Sequence, residues 1–349
     1  MILEGIRVIS ILIISFVLAL TLTPLVLRLL ERINAGKQIR SEGDTPIFTS
    51  LHKKKEGTPT MGGIVIWLTV LIVTLGFWIF DQMFDGFFGY FNFVDRAQTF
   101  LPLAAFFLAA ALGLFDDLMG VLKIGDKGGG LKVSHKMIIY GVLSSIGAWW
   151  FYSPNILDWH LLHVPFMGNF DIGFWYIPIF MFVIIASAFS ANETDGLDGL
   201  WGGVSMFIFG AMLVIAFAVG RFDLAAMIAA ILGSLLAFLW FNIYPAKFFM
   251  GDTGAMALGI CMGVIAMLTN TIFLLPIFAI IPVIESASVI VQLISKKLAK
   301  RKIFLSTPIH HHFEAIGWPE SQITMRFWII SVIGVGAGLA IFFLDRLFV

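Results

Sequence analysis

The chain has 349 residues, of which 59% are hydrophobic and only 13% are charged. Soluble proteins carry roughly 25% charged residues, so this chain cannot cover itself with polar surface in water, and we expect lipid to be its solvent. The net charge is zero, which gives no indication of a nucleic-acid partner. The single cysteine, Cys261, excludes an internal disulfide and a cysteine-based zinc site.

Ten apolar runs predict membrane-spanning helices. A span needs about 20 apolar residues to cross the hydrocarbon core, and only helices satisfy their backbone there, because sheet edges cannot be left open in lipid. The predicted fold class is all-α: a polytopic membrane protein with one transmembrane helix per run and residues 1–349 in a single integral membrane domain. The runs are Ile6–Leu30, Met61–Phe80, Ala97–Phe115, Met137–Tyr152, Phe174–Phe189, Trp201–Val219, Asp223–Ile243, Ala255–Thr269, Thr271–Ile294 and Phe327–Leu344.

Positive charge is distributed unevenly between the two sides of these runs. The side that carries the loops after the first, third, fifth, seventh and ninth runs holds 18 of the 22 Lys and Arg residues, counting Arg28 at the end of the first run. The other side keeps four, Arg7, Arg96, Arg221 and Arg346. Because an excess of positive charge marks the cytoplasmic side of a membrane protein, we expect those five loops in the cytoplasm and both termini on the opposite side.

A small β-hairpin is predicted between the fourth and fifth runs. Val164–Phe166 and Phe170–Ile172 flank the turn residues Met167–Asn169, on the side that we expect to be external. His160 and His163 lie near this hairpin and are interpreted as surface residues. We assign no chemistry to it.

Five aspartates lie in three of the five inner loops, at helix ends beside small residues. They are Asp116, Asp117, Asp195, Asp198 and Asp252. One interpretation is that each Asp caps or marks a helix end, since Asp198 and Asp252 each precede a run. The other is a shared site, because carboxylates on one face repel each other unless a cation lies among them. Mg²⁺ prefers oxygen ligands and bridges to phosphates, so we favour a magnesium site.

Lysines in the same loops complement these carboxylates. Lys55 precedes the segment GTPTMGG, which contains Thr60, and Lys132 and Lys136 lie in the second inner loop. The simpler interpretation of any one lysine is charge that sets the topology and contacts lipid headgroups. Acid and base together on one face are more typical of a site for a metal-bound phosphate substrate.

Three consecutive histidines, His310, His311 and His312, lie in the last inner loop. Neighbours on a helix point about 100° apart, so three in a row cannot share one metal there, although two could do so in a loop. No further His or Cys nearby completes a zinc site, so we interpret these histidines as phosphate and hydrogen-bond contacts. The glycine-rich stretch of the second inner loop is not followed by Gly-Lys-Ser/Thr, so the sequence does not support a P-loop or an ATP-driven pump.

The ninth run is unusual because it carries Pro276, Pro282 and Glu285 within apolar sequence. Proline removes a helix hydrogen bond and bends the helix, so we expect a bent ninth helix. An ionisable group at this depth faces the bundle interior or a wet cavity. A hydrogen bond between two helices is the other interpretation of Glu285.

Five segments follow one another along the chain: GTPTMGG (Gly57–Gly63), FDD (Phe115–Asp117), NETDGLDGL (Asn192–Leu200), FMGDTG (Phe249–Gly254) and PIHHHFE (Pro308–Glu314). In this order they resemble the bacterial phospho-N-acetylmuramoyl-pentapeptide transferases, a branch of the polyprenyl-phosphate N-acetylhexosamine-1-phosphate transferase superfamily. The resemblance covers nearly the whole chain. FDD and TDGLDGL are shared across the superfamily, whereas GTPTMGG and PIHHHFE are more specific to this branch.

The resemblance implies a reaction and a location. Members of this family transfer phospho-MurNAc-pentapeptide from UDP-MurNAc-pentapeptide to undecaprenyl phosphate, release UMP, form lipid I for peptidoglycan synthesis and require Mg²⁺. The implied location is the bacterial inner membrane, with the active site in the five cytoplasmic loops and the lipid bilayer as a further partner. A homodimer is left open.

The resemblance also implies the roles of individual residues. Asp252 matches the principal Mg²⁺ ligand, and Asp116 and Asp117 match a catalytic pair beneath the diphosphate. His310 and His311 match a functional pair, and the bent ninth helix resembles one that borders the groove for the lipid carrier. The residues matched to substrate binding are Lys55, Thr60, Lys136, Asn192, Asp195, Gly196, Leu197, Asp198, Asn242, Phe249 (near uracil), Gln292 and His312.

The sequence departs from the family's pattern at two places. Glu193 stands where the family commonly has Leu, and a longer second inner loop leaves Lys132 as the alternative to Lys136.

A sister enzyme that transfers GlcNAc-1-phosphate to a polyprenyl phosphate shares the Asp segments, and only GTPTMGG and the histidine segment argue against it. A transporter for an anionic solute is the remote alternative, because its site would lie near the midplane, whereas these polar residues gather at one face.

Overall fold

The architecture is that of a computed structural model of the chain. The structure describes residues 1–36, 55, 57–84, 86, 88–95, 98–125 and 129–348. Arg96, one of the four outer arginines of the predicted topology, lies outside the described residues.

The described part of the chain contains twelve α-helices and one β-hairpin. Apolar runs of the predicted length form the long helices, because lipid offers the backbone no other partner. The helices are α1 (Ile2–Arg32), α2 (Ile64–Met83), α3 (Phe100–Val121), α4 (Val133–Tyr152), α5 (Tyr176–Thr194), α6 (Leu200–Ala218), α7 (Phe222–Asn242), α8 (Asp252–Leu268), α9 (Leu275–Phe278), α10 (Ile280–Leu298), α11 (Ile309–Ala315) and α12 (Glu320–Phe348).

Seven of the described helices are long and apolar enough to cross a membrane: α1, α2, α3, α5 with the 3₁₀ turn before it, α6, α7 and α12. Helix α8 is apolar but shorter. A polytopic membrane protein is thus the class to which the chain belongs. Ten crossings stay a prediction, although each of the ten predicted runs contains a helix.

The ninth run, for which one bent helix was predicted, forms two helices. Between Thr271 and Ile294 the chain forms the short helix α9 and then α10, with a break at Ala279. Pro276 and Pro282 each lie in the first turn of one of these helices. Proline is tolerated there because the first-turn N–H groups have no partner within the helix, so each proline marks the start of a helix.

The tenth run begins earlier than predicted. Helix α12 starts at Glu320, seven residues before Phe327. The extra turns were missed because their residues are polar, and Glu320 and Thr324 make hydrogen bonds to a neighbouring loop. Their polarity therefore reflects a contact inside the protein, and not the end of the helix.

The predicted hairpin is present, but its turn is displaced. Strands β1 (Leu161–Val164) and β2 (Gly168–Asp171) pair in antiparallel fashion, with Val164 opposite Gly168. The turn is therefore Val164–Met167, closed by a 3.0 Å hydrogen bond from Met167 N to Val164 O. The predicted turn, Met167–Asn169, was wrong because Pro165 favours the second position of a turn and cannot donate to a strand ladder.

Helices α7 and α8 form the centre of the bundle. Every residue of α8 from Thr253 to Leu268 is buried, and so is Leu224–Leu235 of α7. A helix that is buried on all sides lies at the centre of a bundle. Helix α7 packs mainly against α1 and α6, and α8 packs mainly against α3 and α5.

One end of this bundle is called the site face below. Helices α3 and α5 end there, and α4, α8 and α12 begin there. The four segments FDD, NETDGLDGL, FMGDTG and PIHHHFE all lie at this face.

Candidate active site

Two of the motif segments meet where α3 passes the start of α8. A Cβ atom at Gly113 would overlap the backbone of Asp252 and Thr253, so only glycine allows this approach. One turn later, Asp117 Oδ1 accepts a 3.1 Å hydrogen bond from Asp252 N, and Oδ2 accepts a 3.0 Å bond from Thr253 N. Asp117 therefore fixes the first turn of α8 from a neighbouring helix.

Asp116 and Asp252 share one ammonium group. Lys136 Nζ lies 2.6 Å from Asp116 Oδ2 and also contacts Asp252 Oδ2. The other oxygen of Asp116 accepts a hydrogen bond from the backbone N–H of Leu131. Residues of α3, α4 and α8 thus converge on one point at the site face, where two carboxylates and one lysine meet.

The simpler interpretation, that these Asp residues cap their own helices, does not match the structure. The N-cap residues of α6 and α8 are Gly199 and Gly251, so neither helix is capped by the side chain of its own N-cap residue. Asp198 precedes the cap of α6, and Asp252 is the first residue of α8. Their side chains are directed to other segments instead.

Asn192 is joined to the same cluster through Tyr140. Its Nδ2 donates a 2.6 Å hydrogen bond to Tyr140 Oη, and Tyr140 lies one turn after Lys136 on α4. Asn192 Oδ1 is buried and has no hydrogen-bond partner among the residues that the structure describes. The sequence pattern predicted a site role for Asn192 but none for Tyr140, because a tyrosine within an apolar run is typical of packing inside the bundle.

The GTPTMGG segment pairs with the segment that precedes α8. Phe249 N donates to Pro59 O (2.8 Å), and Gly62 N donates to Phe249 O (2.8 Å). Gly63 N donates to Met250 O (2.9 Å). Thr60 is buried beside Gly251. This backbone pairing holds the first inner loop against the start of α8.

Lys55 lies between two carboxylates. Its Nζ is 2.6 Å from Asp198 Oδ1 and 2.5 Å from Glu320 Oε1. It also lies 5.7 Å from the centre of the Phe249 ring, within the range of a cation–π contact. Glu320 was not among the predicted site residues, because a Glu at the start of a helix reads as an ordinary first-turn acid.

Two predicted substrate-binding amides bridge protein segments. Asn242 Oδ1 accepts from Gly199 N (3.0 Å), and its Nδ2 donates to Phe248 O (2.9 Å). Gln292 Oε1 accepts from the N–H groups of Ile303 (2.9 Å) and Phe304 (3.1 Å), and its Nε2 donates to Phe304 O (2.9 Å). Both amides hold loops of the site in place.

His310 is completely buried and faces Glu285. Its Nδ1 lies 3.0 Å from Glu285 Oε2, and its Nε2 lies against Gly196, where a Cβ atom would overlap the ring. Burial alone would lower the pKa of His310, but the Glu285 carboxylate raises it more, so the pKa lies above its ordinary value. Glu285 therefore faces the bundle interior, as predicted, and favours a protonated His310.

The other two histidines point to different partners, as expected for consecutive residues on a helix. His311 Nδ1 lies 2.7 Å from Glu314 Oε2, and His312 Nδ1 accepts a 3.2 Å hydrogen bond from Leu305 N.

The loop that contains Gly196 also carries two predicted site residues: Leu197, which is buried, and Asp195, which is half-buried. The structure thus brings the predicted site residues to one face.

The carboxylates at this face fit a divalent cation in part. In the described part of the chain, no three His, Cys, Asp or Glu side chains are grouped to hold a metal by themselves. Asp117 directs both oxygens to backbone N–H groups, whereas Asp116 and Asp252 each direct one oxygen to Lys136, so these two carboxylates face the position that a cation would take. Two carboxylates suit Mg²⁺, which is usually bound by one or two carboxylates together with substrate phosphates.

Two family models match the chain. The model described as glycosyl transferase family 4 matches residues 99–270. The model described as phospho-N-acetylmuramoyl-pentapeptide-transferase signature 1 matches residues 55–66, which include Lys55 and the whole GTPTMGG segment. The resemblance inferred from the motifs is confirmed.

Relatives named phospho-N-acetylmuramoyl-pentapeptide-transferase are similar over most of the chain. The protein of Geobacillus sp. (strain WCH70) is 35% identical over 340 residues, which is 97% of this chain and 98% of that protein. The protein of Chloroflexus aurantiacus is 37% identical, over 94% of this chain and 88% of the relative. That of Borreliella burgdorferi is 36% identical, over 91% and 90%.

Proposed function

Because this chain belongs to the phospho-N-acetylmuramoyl-pentapeptide transferase family, we propose that it transfers phospho-MurNAc-pentapeptide from UDP-MurNAc-pentapeptide to undecaprenyl phosphate, which yields lipid I and UMP. One observation carries the proposal: relatives with that name match at about 35% identity over nearly the full length. The convergence of Asp116, Lys136 and Asp252 at one end of apolar helices supports it, since the acceptor phosphate sits at a membrane surface.

The proposed setting is the bacterial inner membrane. Residues 1–349 form a single integral membrane domain with ten spans, both termini outside and the site face toward the cytoplasm. The unequal distribution of Lys and Arg between the two sides supports this orientation. A nucleotide-linked substrate made in the cytoplasm would then meet the lipid acceptor at the site face.

The proposed chemistry is direct attack by the acceptor. An oxygen of undecaprenyl phosphate forms a bond to the phosphorus that carries the sugar, and the bond from that phosphorus to the bridging oxygen of UMP breaks. A phosphate monoester has a second pKa of about 6, so the acceptor is largely a dianion at neutral pH. Phosphoryl transfer then needs mainly positioning and charge neutralisation.

The residues of the cluster have distinct proposed roles. Lys136 attracts the phosphates of both substrates, and Asp116 orients the acceptor phosphate or takes its last proton. Asp117 positions Asp252 through the first turn of α8. Asp252 and Asp116 would hold Mg²⁺, which when bound would supply positive charge toward the UMP leaving group.

The nucleotide end of the donor is proposed to lie beside Phe249. The Lys55 ammonium near that ring and the Asp195–Asp198 loop border the same subsite. A protonated His310 in contact with that loop supplies positive charge for the donor phosphates. His311 and His312 hold the segment that carries it.

The experiment compares two donors in membranes that contain this chain. We expect UMP release from UDP-MurNAc-pentapeptide when undecaprenyl phosphate and Mg²⁺ are added, and none from UDP-GlcNAc. The matched control is Asp252→Asn in the same membranes. UMP release from UDP-GlcNAc alone would make the chain a sister transferase, and release from neither donor would contradict the proposed function.

A further inference from the structure

Helix α12 carries a stripe of polar side chains that all contact one turn of the site. Glu320, Thr324 and Trp328 are spaced four residues apart and so lie on one face of the helix. Glu320 Oε1 accepts from Asp198 N (2.7 Å), Thr324 Oγ1 donates to Asp198 O (3.2 Å), and Trp328 Nε1 donates to Gly199 O (3.1 Å). The last helix therefore holds the Asp198–Gly199 backbone at three points.

Glu320 differs from the other two because it also reaches Lys55. Its Oε1 lies 2.5 Å from Lys55 Nζ, while Asp198 Oδ1 lies 2.6 Å from the same atom. Asp198 and Glu320 side chains are 3% and 10% exposed, so little water screens these contacts. The second oxygen of Asp198 accepts a 3.0 Å bond from Ala246 N, which fixes that carboxylate. Lys55 is thus held from two directions, above the ring of Phe249.

We propose that Glu320 is a positioning residue for the nucleotide subsite. It fixes Lys55 over Phe249, so that the subsite is ordered before the nucleotide arrives. A lysine side chain released from one of its two partners regains rotamer freedom, and binding must then order it again. The proposal rests on the proposed function, since it assumes that the Phe249 subsite takes uridine.

The competing explanation for a Glu at position 320 does not involve Lys55. An acidic residue in the first turn of a helix is stabilised by the helix dipole, and Glu320 is the first residue of α12. In that case any carboxylate at position 320 would serve, and its loss would lower stability without changing nucleotide affinity. Glu320→Asp separates the two explanations, because it keeps the charge but shortens the side chain by one methylene.

The experiment measures the dissociation constant of UMP by titration calorimetry on the purified full-length protein. We expect Glu320→Gln and Glu320→Asp each to weaken UMP binding by about tenfold, the range of a charge-assisted hydrogen bond. The matched control is Thr324→Val, which loses a bond to the same turn but leaves Lys55 in place, and we expect its UMP affinity to stay close to that of the wild type. In turnover, KM for the donor should rise with kcat little changed.

A double-mutant cycle with Lys55→Met completes the test. If Glu320 acts through Lys55, Glu320→Gln should cause little further loss of UMP affinity in the Lys55→Met background. Wild-type affinity in both Glu320 variants, or full additivity with Lys55→Met, would overturn the assignment. Thermal melting of each variant shows which ones are folded, and Glu320→Asp, which keeps the first-turn charge, serves if Glu320→Gln does not fold. If the wild-type protein itself binds no UMP, the proposed function fails and this assignment fails with it.

Discussion

Asp117 holds the N-terminal turn that begins with Asp252, although the two residues are far apart in the chain. Asp117 Oδ1 and Oδ2 accept the N–H groups of Asp252 (3.1 Å) and Thr253 (3.0 Å). The two aspartates therefore have different tasks: one positions the turn, and the other directs its own carboxylate to Lys136.

Replacement of these two aspartates should give different losses. Asp117→Asn presents an amide N–H₂ group to one of the two backbone N–H groups, so we expect stability to fall by about 1–3 kcal/mol, the cost of a buried unsatisfied donor. Asp252→Asn keeps both backbone bonds, so we expect a thermal melting temperature close to that of the wild type with almost no turnover. Thermal melting and UMP release on the same samples check both expectations. A stable Asp117→Asn protein would contradict the positioning role.

The close approach of α3 to α8 gives a second prediction. Gly113→Ala would push its new methyl group into the backbone of Asp252 and Thr253 and so separate the two helices. We expect large losses of stability and turnover. The matched control on the same helix is Gly120→Ala, whose Cβ meets no atom of the described residues within 4 Å. It should be tolerated, since Ala favours a helix over Gly by up to about 1 kcal/mol. Equal effects of the two substitutions would mean that the contact at Gly113 does not matter.

The pair of His310 and Glu285 gives a prediction for pH. The Glu285 carboxylate raises the pKa of His310 above its ordinary value, which is about 6.5. A raised pKa in the folded state stabilises the protein fully below the ordinary value, and the contribution is lost as pH rises through the raised value. We therefore expect Glu285→Gln to lower the melting temperature most at low pH, and progressively less as pH rises.

The imidazole itself can be followed by nuclear magnetic resonance with labelled histidine, and the His310 signal can be assigned from its loss in His310→Gln. We expect the pKa of His310 to fall in Glu285→Gln. An unchanged titration midpoint would show that Glu285 does not control the protonation of His310.

The orientation of the chain can be tested with single cysteines. In a Cys261→Ala protein, we expect Thr58→Cys to resist a membrane-impermeant thiol reagent in intact cells, because the site face is proposed to be cytoplasmic. The control is Met167→Cys at the tip of the hairpin, an exposed position on the other side of the bundle, which should react. Ready labelling at position 58 would reverse the proposed orientation.

Much of the helical framework could be predicted from the sequence, because lipid leaves an apolar run no alternative to a helix. The errors lie where a polar or proline residue has a local reason that the pattern does not reveal. The first turns of α12 were predicted as loop because Glu320 and Thr324 are polar. Both side chains form hydrogen bonds to the backbone of Asp198. Pro165 moves the hairpin turn toward the N-terminus.

The location of the site could be predicted because Asp and Lys indicate its chemistry by residue type. The pairing of individual side chains could not, because the two partners come from distant segments of the chain. Clustered aspartates and lysines predicted that charges would meet at one face, as Asp116 and Lys136 do. The division of labour between Asp116 and Asp117 depends on which one faces the start of α8, and spacing does not give that. The pairing of Lys55 with Glu320 likewise joins residues 265 positions apart, for which a single sequence holds no signal.

The most direct test is the balance between UMP and lipid-linked product formed by the purified protein. With UDP-MurNAc-pentapeptide, undecaprenyl phosphate and Mg²⁺, we predict equal amounts of UMP and lipid I from the wild type, no product from Asp252→Asn, and no UMP when undecaprenyl phosphate is absent. A stoichiometric burst of UMP from protein freed of lipid, lost in Asp116→Asn, would contradict direct attack and favour a covalent intermediate on that aspartate. No UMP under any of these conditions would contradict the proposed transfer itself.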